Sequence, residues 1–268
     1  MRRLSLVPYT ACCLALWIAA CAQDSAPVAP DPEPPITLLK LAEATDAGVR
    51  IELFAEAQPV IGANPLHVVL TDIASGERLR AGTVTVTPAM DMPGAPHTAP
   101  CEQPAAADTA GRWSSLVVLT MTGAWKLDVS LVSSTHACKA ALGFTVGASR
   151  RSRAVIASDG EIYIVTLVQP RVGDIGLNPC EVLLHKQVSL THYPPILDAS
   201  VDLEPFMPSM NHGSPANVDP QHTGMGHYVG KVNFTMLGDW RMDLDISMPD
   251  PISETTRITL STSFDIAL

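Results

Sequence analysis

The chain is written twice. IGANPLHVVLTD at residues 61–72 returns as IGLNPCEVLLHK at 175–186, so that Ile61, Gly62, Asn64, Pro65, Val68 and Leu70 recur 114 positions later as Ile175, Gly176, Asn178, Pro179, Val182 and Leu184. Further on, WSSLVVLTMTGAWKLDVSL at 113–131 matches YVGKVNFTMLGDWRMDLDI at 228–246, where Thr120, Met121, Gly123, Trp125 and Asp128 reappear 115 positions on as Thr235, Met236, Gly238, Trp240 and Asp243. One insertion separates the two registers. Matched blocks in the same order at so long a period describe two copies of one domain, because solenoid repeats recur every 20–50 residues.

Each copy reads as β-structure. Tyr228, Val232, Phe234 and Met236 share one parity, and after the short LGD connection Trp240, Met242, Leu244 and Ile246 alternate with polar neighbours. This predicts a half-buried hairpin, and Trp113 to Met121 followed by Trp125 to Leu131 predicts its counterpart, with Gly123 taking a turn conformation that a Cβ would resist. Trp113, Trp125, Trp240, Met121 and Met236 are expected in the core. Further strands are predicted near 49–55, 66–71, 82–87, 140–146, 161–168, 180–187, 198–204 and 256–266, with Pro and Gly between them. The expected fold is all-β: two tandem immunoglobulin-like β-sandwich domains, the first over 45–147 and the second over 155–268. A composition of 47% hydrophobic and 16% charged residues can fill both cores. The connecting GASRRSRAVIASDG reads as a linker whose Arg150, Arg151 and Arg153 face solvent.

The N-terminus is a secretory leader, residues 1–20. MRR supplies the basic region, and the apolar stretch from Leu4 to Ala19 is short and interrupted by Pro8. Its end, Ile18, Ala19, Ala20 and Cys21, resembles the lipobox of bacterial lipoproteins, which implies lipidation at Cys21. Ala22 in the next position implies, by the same resemblance, an outer-membrane lipoprotein facing the periplasm or the cell surface. Residues 21–44, with AQDSAPVAPDPEPP, read as the lipidated cysteine and a Pro-rich tether. The formal charge of −10 becomes −12 once Arg2 and Arg3 leave with the leader, which argues against nucleic acid as a partner. Membrane association is then through the lipid alone, with another envelope protein as the expected partner. Cys101, Cys138 and Cys180 remain in the folded part. Cys101 and Cys138 flank the first predicted hairpin and are expected to form a disulfide, leaving Cys180 as a buried thiol.

The loop before the second hairpin departs from strand grammar. PFMPSMNHGSPANVDPQHTGMGHY holds Met207, Met210, His212, His222, Met225 and His227. At the spacing of 115, Met92 aligns with Met207 and His97 with His212, while Ala95 stands opposite Met210. Copy one thus keeps one residue of each type, supplemented by Met90. Thioethers are soft, uncharged donors that suit Cu(I), and imidazole serves both copper oxidation states. The six residues of copy two are therefore the expected copper ligands, with Met90, Met92 and His97 as subordinate metal candidates. Zinc is the second choice, because only His212, His222 and His227 would serve it nearby. The alternative function is a structural or protein-interaction module of the cell envelope without metal, in which the methionines plug the end of a sandwich.

Gly226, Tyr228, Val232, Phe234, Gly238 and Trp240, with FMPSMNHG upstream, resemble the FixH and YtkA-like domains of bacterial exported and membrane proteins. That resemblance runs from about Gly160 to Met248 and, more loosely, through copy one. It implies an immunoglobulin-like sandwich and a setting of copper handling or oxidase assembly, with Met207, Pro208, Met210 and His212 on the family's Met, Pro and His pattern. Copy one departs at Ala95. No enzyme is expected: the chain lacks a nucleophile elbow, HExxH or phosphate-cradling loop. Ser214, His212 and Asp219 share one polar loop, which does not specify the orientation a triad needs.

Overall fold

Burial alternates along the repeated strands as the parity requires. Tyr228, Val232 and Phe234 are buried on one side, and Trp240, Met242, Leu244 and Ile246 on the next strand. The computed structural model describes residues 37–268 except 93 and 94, so the leader, Cys21 and most of the tether lie outside the described residues. The first copy consists of β1 (Leu39–Asp46), β2 (Val49–Ala55), β3 (Gly62–Asp72), β4 (Thr83–Met92), β5 (Ala95–Thr98), β6 (Arg112–Leu119), β7 (Gly123–Val132) and β8 (Ala137–Val146). The second consists of β9 (Ser152–Ile156), β10 (Ile162–Gln169), β11 (Gly176–Gln187), β12 (Ser200–Met207), β13 (His212–Gly213), β14 (Val218–Gly224), β15 (His227–Phe234), β16 (Asp239–Asp250) and β17 (Ser253–Ala267). Sheets β1-β2-β3-β6 and β5-β4-β7-β8 build the first sandwich, and β14-β15-β11-β10-β9 and β13-β12-β16-β17 the second. Each sandwich closes on its own apolar core. The fold is all-β, two tandem immunoglobulin-like sandwiches, as the repeat and the parity predict.

The expected hairpins are arches. β6 pairs with β3 and β7 with β4 and β8, so the chain crosses between sheets at Thr120 to Thr122. In the same way β15 pairs with β11, and β16 with β12 and β17. The repeated T-M-x-G-x-W text is this crossing. The indole N–H of Trp125 donates to Met121 O at 3.1 Å, and that of Trp240 to Met236 O at 2.9 Å, so each tryptophan closes the arch from inside the core. Met236 itself is 39% exposed and contributes its carbonyl rather than its side chain, unlike the core role expected of it.

The other repeated block is a clamp. Asn64 accepts from Val60 N–H at 3.0 Å and donates to Val60 O and Gly62 O at 2.8 and 2.7 Å. Asn178 accepts from Asp174 N–H at 2.9 Å and donates to Asp174 O and Gly176 O at 2.7 and 2.8 Å. Both amides are buried, so they satisfy backbone groups that water reaches poorly at the entry to the central strand. Asn178→Ala should therefore cost about 2–3 kcal/mol. Urea unfolding measures this, and a loss below about 1 kcal/mol would mean that solvent closes the loop equally well.

Four further expectations are corrected. First, β1 begins at Leu39, so the last six residues assigned to the tether belong to the sandwich, in register with β2. Second, the linker contains β9, which pairs with β10. Third, two of the three linker arginines serve structure, while Arg150 faces solvent with its side chain 83% exposed. Arg151 donates to Leu167 O, Val168 O and Pro170 O at 3.2, 3.1 and 2.8 Å, and the Arg153 guanidinium lies over the Phe264 ring at 5.7 Å. Fourth, Cys101, Cys138 and Cys180 are all free. The disulfide presumed a hairpin whose ends meet; instead Cys101 lies beside Ser115 of β6, with Sγ 3.3 Å from Oγ, whereas Cys138 pairs with Leu131 in the opposite sheet.

The sandwiches meet along β3 and β6 on one side and β10 and β11 on the other. Val118, Ile164 and Leu183 are buried there, with Ala63, Leu116, Val168 and Tyr193 packed around them. Gly62, at φ +122°, lets the linker close in, since a Cβ there would stand 3.2 Å from Arg151 Cβ. Arg171 reaches Glu56 across the contact at 3.1 Å.

Candidate functional site

The six predicted copper ligands divide between two ends of the second sandwich. β12 and β13 place Met207 opposite His212, beside the arch that Trp240 closes. His222, Met225 and His227 surround the β14–β15 turn, where Gly224 pairs with His227. Phe234, which stacks on Trp240 at 5.5 Å, ends β15 seven residues after His227 starts it. At about 3.3 Å per residue the two groups stand roughly 23 Å apart. A single site using all six residues is therefore not assembled.

At the turn end, His227 is already engaged. Its Nδ1 meets Glu181 and its Nε2 meets Glu102 of the first sandwich, both at 2.6 Å. Hydrogen bonds to these carboxylates push its pKa up to about 9, which makes it an imidazolium bridge rather than a metal ligand. His185 lies nearby, buried and pushed down to about 4, chiefly by desolvation. His222 is exposed and stacks on Tyr228 at 5.2 Å; Met225 is 56% exposed at φ +49°.

At the arch end the chemistry differs. Met207 is 1% exposed and packs against Gly238, whose φ of +148° favours glycine and where a Cβ would come within 2.8 Å of the methionine Cε. The His212 ring stands edge-on to Trp240, with centroids 5.6 Å apart and planes at 84°. Its Nδ1 is 2.8 Å from Gly213 O, an acceptor, so this nitrogen carries the proton. In the neutral ring Nε2 is then the lone-pair nitrogen, and it is buried and without a hydrogen-bond partner. Met210, 60% exposed, lies on the turn between the two, where its N–H donates to Met207 O at 3.3 Å. Two thioethers and one imidazole are thus carried by the same short β12–β13 connection, and both residue types are soft or borderline donors.

The first copy has the same corner, in a register other than the expected one. Pro88 opposes Leu127 where Pro205 opposes Met242, so Pro88, Ala89 and Met90 correspond to Pro205, Phe206 and Met207. Met90 pairs with His97, as Met207 pairs with His212, and His97 stands edge-on to Trp125 at 6.4 Å. Met92 is thus not the counterpart of Met207; it lies further along the strand, 44% exposed. The spacing of 115 fails here because the first loop is two residues longer. His97 Nε2, unlike that of His212, lies 3.3 Å from the Tyr193 hydroxyl of the second sandwich.

Asp219 accepts from Leu203 N–H at 3.0 Å, and His212 Nδ1 faces Gly213 O, so no Ser214–His212–Asp219 relay is formed. Among the described residues no group of three or more His, Cys, Asp or Glu could hold a metal ion. That bears on zinc, which draws on those donors, and says nothing of methionine.

Residues 160–245, all within the second sandwich, match the model of the YtkA-like family. No curated protein matches the chain. Similar solved structures include the adhesin InvE of Yersinia pseudotuberculosis, at 11% identity and a TM-score of 0.25 over 78% of this chain and 55% of that one. The Escherichia coli adhesin FdeC is 14% identical with a TM-score of 0.28, over 82% and 65% of the two chains. Domains 5–6 of the S-layer protein SbsC are 9% identical with a TM-score of 0.30, over 85% and 98%. The chain spans 55% and 65% of the two adhesin chains it matches.

Proposed function

We propose that this YtkA-like protein is a non-catalytic lipoprotein of the cell envelope, anchored through Cys21, whose second sandwich holds or hands on copper at the arch corner. Met207, Met210 and His212 are the ligands in this reading; His222, Met225 and His227 are not. The observation that carries it is the buried Nε2 of His212, fixed as a lone pair by the Nδ1 contact to Gly213 O and lacking any donor. A buried polar nitrogen without a partner is costly, and a soft cation would relieve that cost while using the thioether of Met207 beside it. Copper(I) suits such neutral donors, and Met210 at the rim offers a route of entry and transfer.

Titration of the mature protein with Cu(I) against a competing chromogenic chelator tests this. One equivalent is expected, with affinity falling by at least about tenfold in Met210→Ala and about a hundredfold in His212→Ala. His222→Ala and Met225→Ala should leave it unchanged. No uptake above background overturns the copper reading and leaves the envelope module without metal.

A further inference from the structure

Resting on the copper reading of the second corner, we infer that the first corner is a second soft-metal site, kept closed by the β11–β12 loop of the other sandwich. Both corners hold the same three side chains in the same ladder positions: Met90, His97 and Trp125, and Met207, His212 and Trp240. They differ in what meets the imidazole. Tyr193 sets its hydroxyl 3.3 Å from His97 Nε2, with its ring edge-on at 6.4 Å, and Thr98 N–H beside it donates to Leu190 O at 2.8 Å. His97 is 7% exposed under this cover.

The hydroxyl, which also lies 3.4 Å from Leu190 O as a donor, occupies the position at Nε2 that a metal would have to take, whichever of the two groups carries the shared proton. Met90 stays half-buried beside Gly123, and Met92 stands exposed at the end of the same strand, so the thioether donors persist while the imidazole is withheld. The loop of the second sandwich is thus a cap. Metal capacity then depends on how the two sandwiches are seated: the intact chain holds one ion, and displacing Tyr193 frees a second place.

The test compares full-length mature protein with Tyr193→Phe and Tyr193→Ala, each titrated with Cu(I) against the chelator, after thermal melting has established that the variants fold. The expected result is one equivalent in the parent chain, lost in His212→Ala, and two in Tyr193→Ala, the second lost when His97→Ala is added. Tyr193→Phe, which removes the hydroxyl and keeps the ring, should raise affinity at the first corner by about tenfold. A stoichiometry of one in Tyr193→Ala, with the His212 site intact, overturns the inference while the proposed function stands. Two equivalents in the parent chain overturn the cap. No ion in any of these proteins overturns both readings.

Discussion

Trp240→Ala is expected to destabilise the second sandwich by about 3–5 kcal/mol, the range for emptying a large aromatic from a core. Trp240 is 1% exposed, stacks on Phe234 at 5.5 Å, backs the His212 ring and donates its indole N–H to Met236 O at 2.9 Å. Removing it opens a cavity where the chain changes sheets and leaves that carbonyl unpaired. Trp240→Phe keeps much of the ring volume and loses the hydrogen bond, so its added cost should be nearer 1 kcal/mol above the packing change. Urea unfolding followed by far-ultraviolet circular dichroism separates the two. A loss below about 1.5 kcal/mol in the alanine variant would show that the arch is held elsewhere.

His227→Gln should cost about 3 kcal/mol at pH 6.5, and the cost should fade in alkali. The imidazolium lies between Glu102 of one sandwich and Glu181 of the other, and it is only about one-fifth exposed, with a side-chain exposure of 19%. Its pKa is raised from 6.5 to about 9, so the folded state holds the proton more tightly than the unfolded chain. Its stabilisation is complete below about pH 6.5 and is lost as the pH rises through about 9. His185 acts in the other direction. Held at about 4, it favours folding fully above pH 6.5 and progressively less as the pH falls toward 4. Taken together, the opposite pH dependences of these two histidines place their joint optimum near neutrality. Unfolding free energies of the parent and His227→Gln, measured from pH 6 to 10, should converge at the alkaline end. A difference that stays constant across that range contradicts the bridge.

The repeated residues proved to be those that set the backbone path. Asn64 and Asn178 clamp the entry to a central strand, and Trp125 and Trp240 close the crossing between sheets. Self-comparison of the sequence exposes both, because the same geometric demand was kept in two places. Parity reports which face of a strand is buried and is silent on which sheet the strand joins, so a crossing between sheets looked like a hairpin. The strands that parity does not reveal, β1, β5, β9, β13 and β14, lie at sheet edges, where one side lacks a pairing partner and polar residues are tolerated. Met90, not Met92, stands where Met207 does, because the spacing of 115 does not hold across a loop of unequal length. His227 looked like a free donor since its partners are 46 and 125 residues away, a distance over which no local pattern operates. Tyr193 is remote from His97 in the same sense.

The thiols have a practical consequence. Cys180 is fully buried, with its pKa pushed up to about 12, and Cys101 is pushed up to about 11, both by desolvation. Thiolate is the form that reacts with oxidants and exchanges with disulfides, so both side chains stay inert over the physiological range. With Cys138 also unpaired, the described residues fold without a covalent cross-link. Folding of the described residues then requires no oxidant, and their unfolding midpoint is expected to be the same with and without reductant.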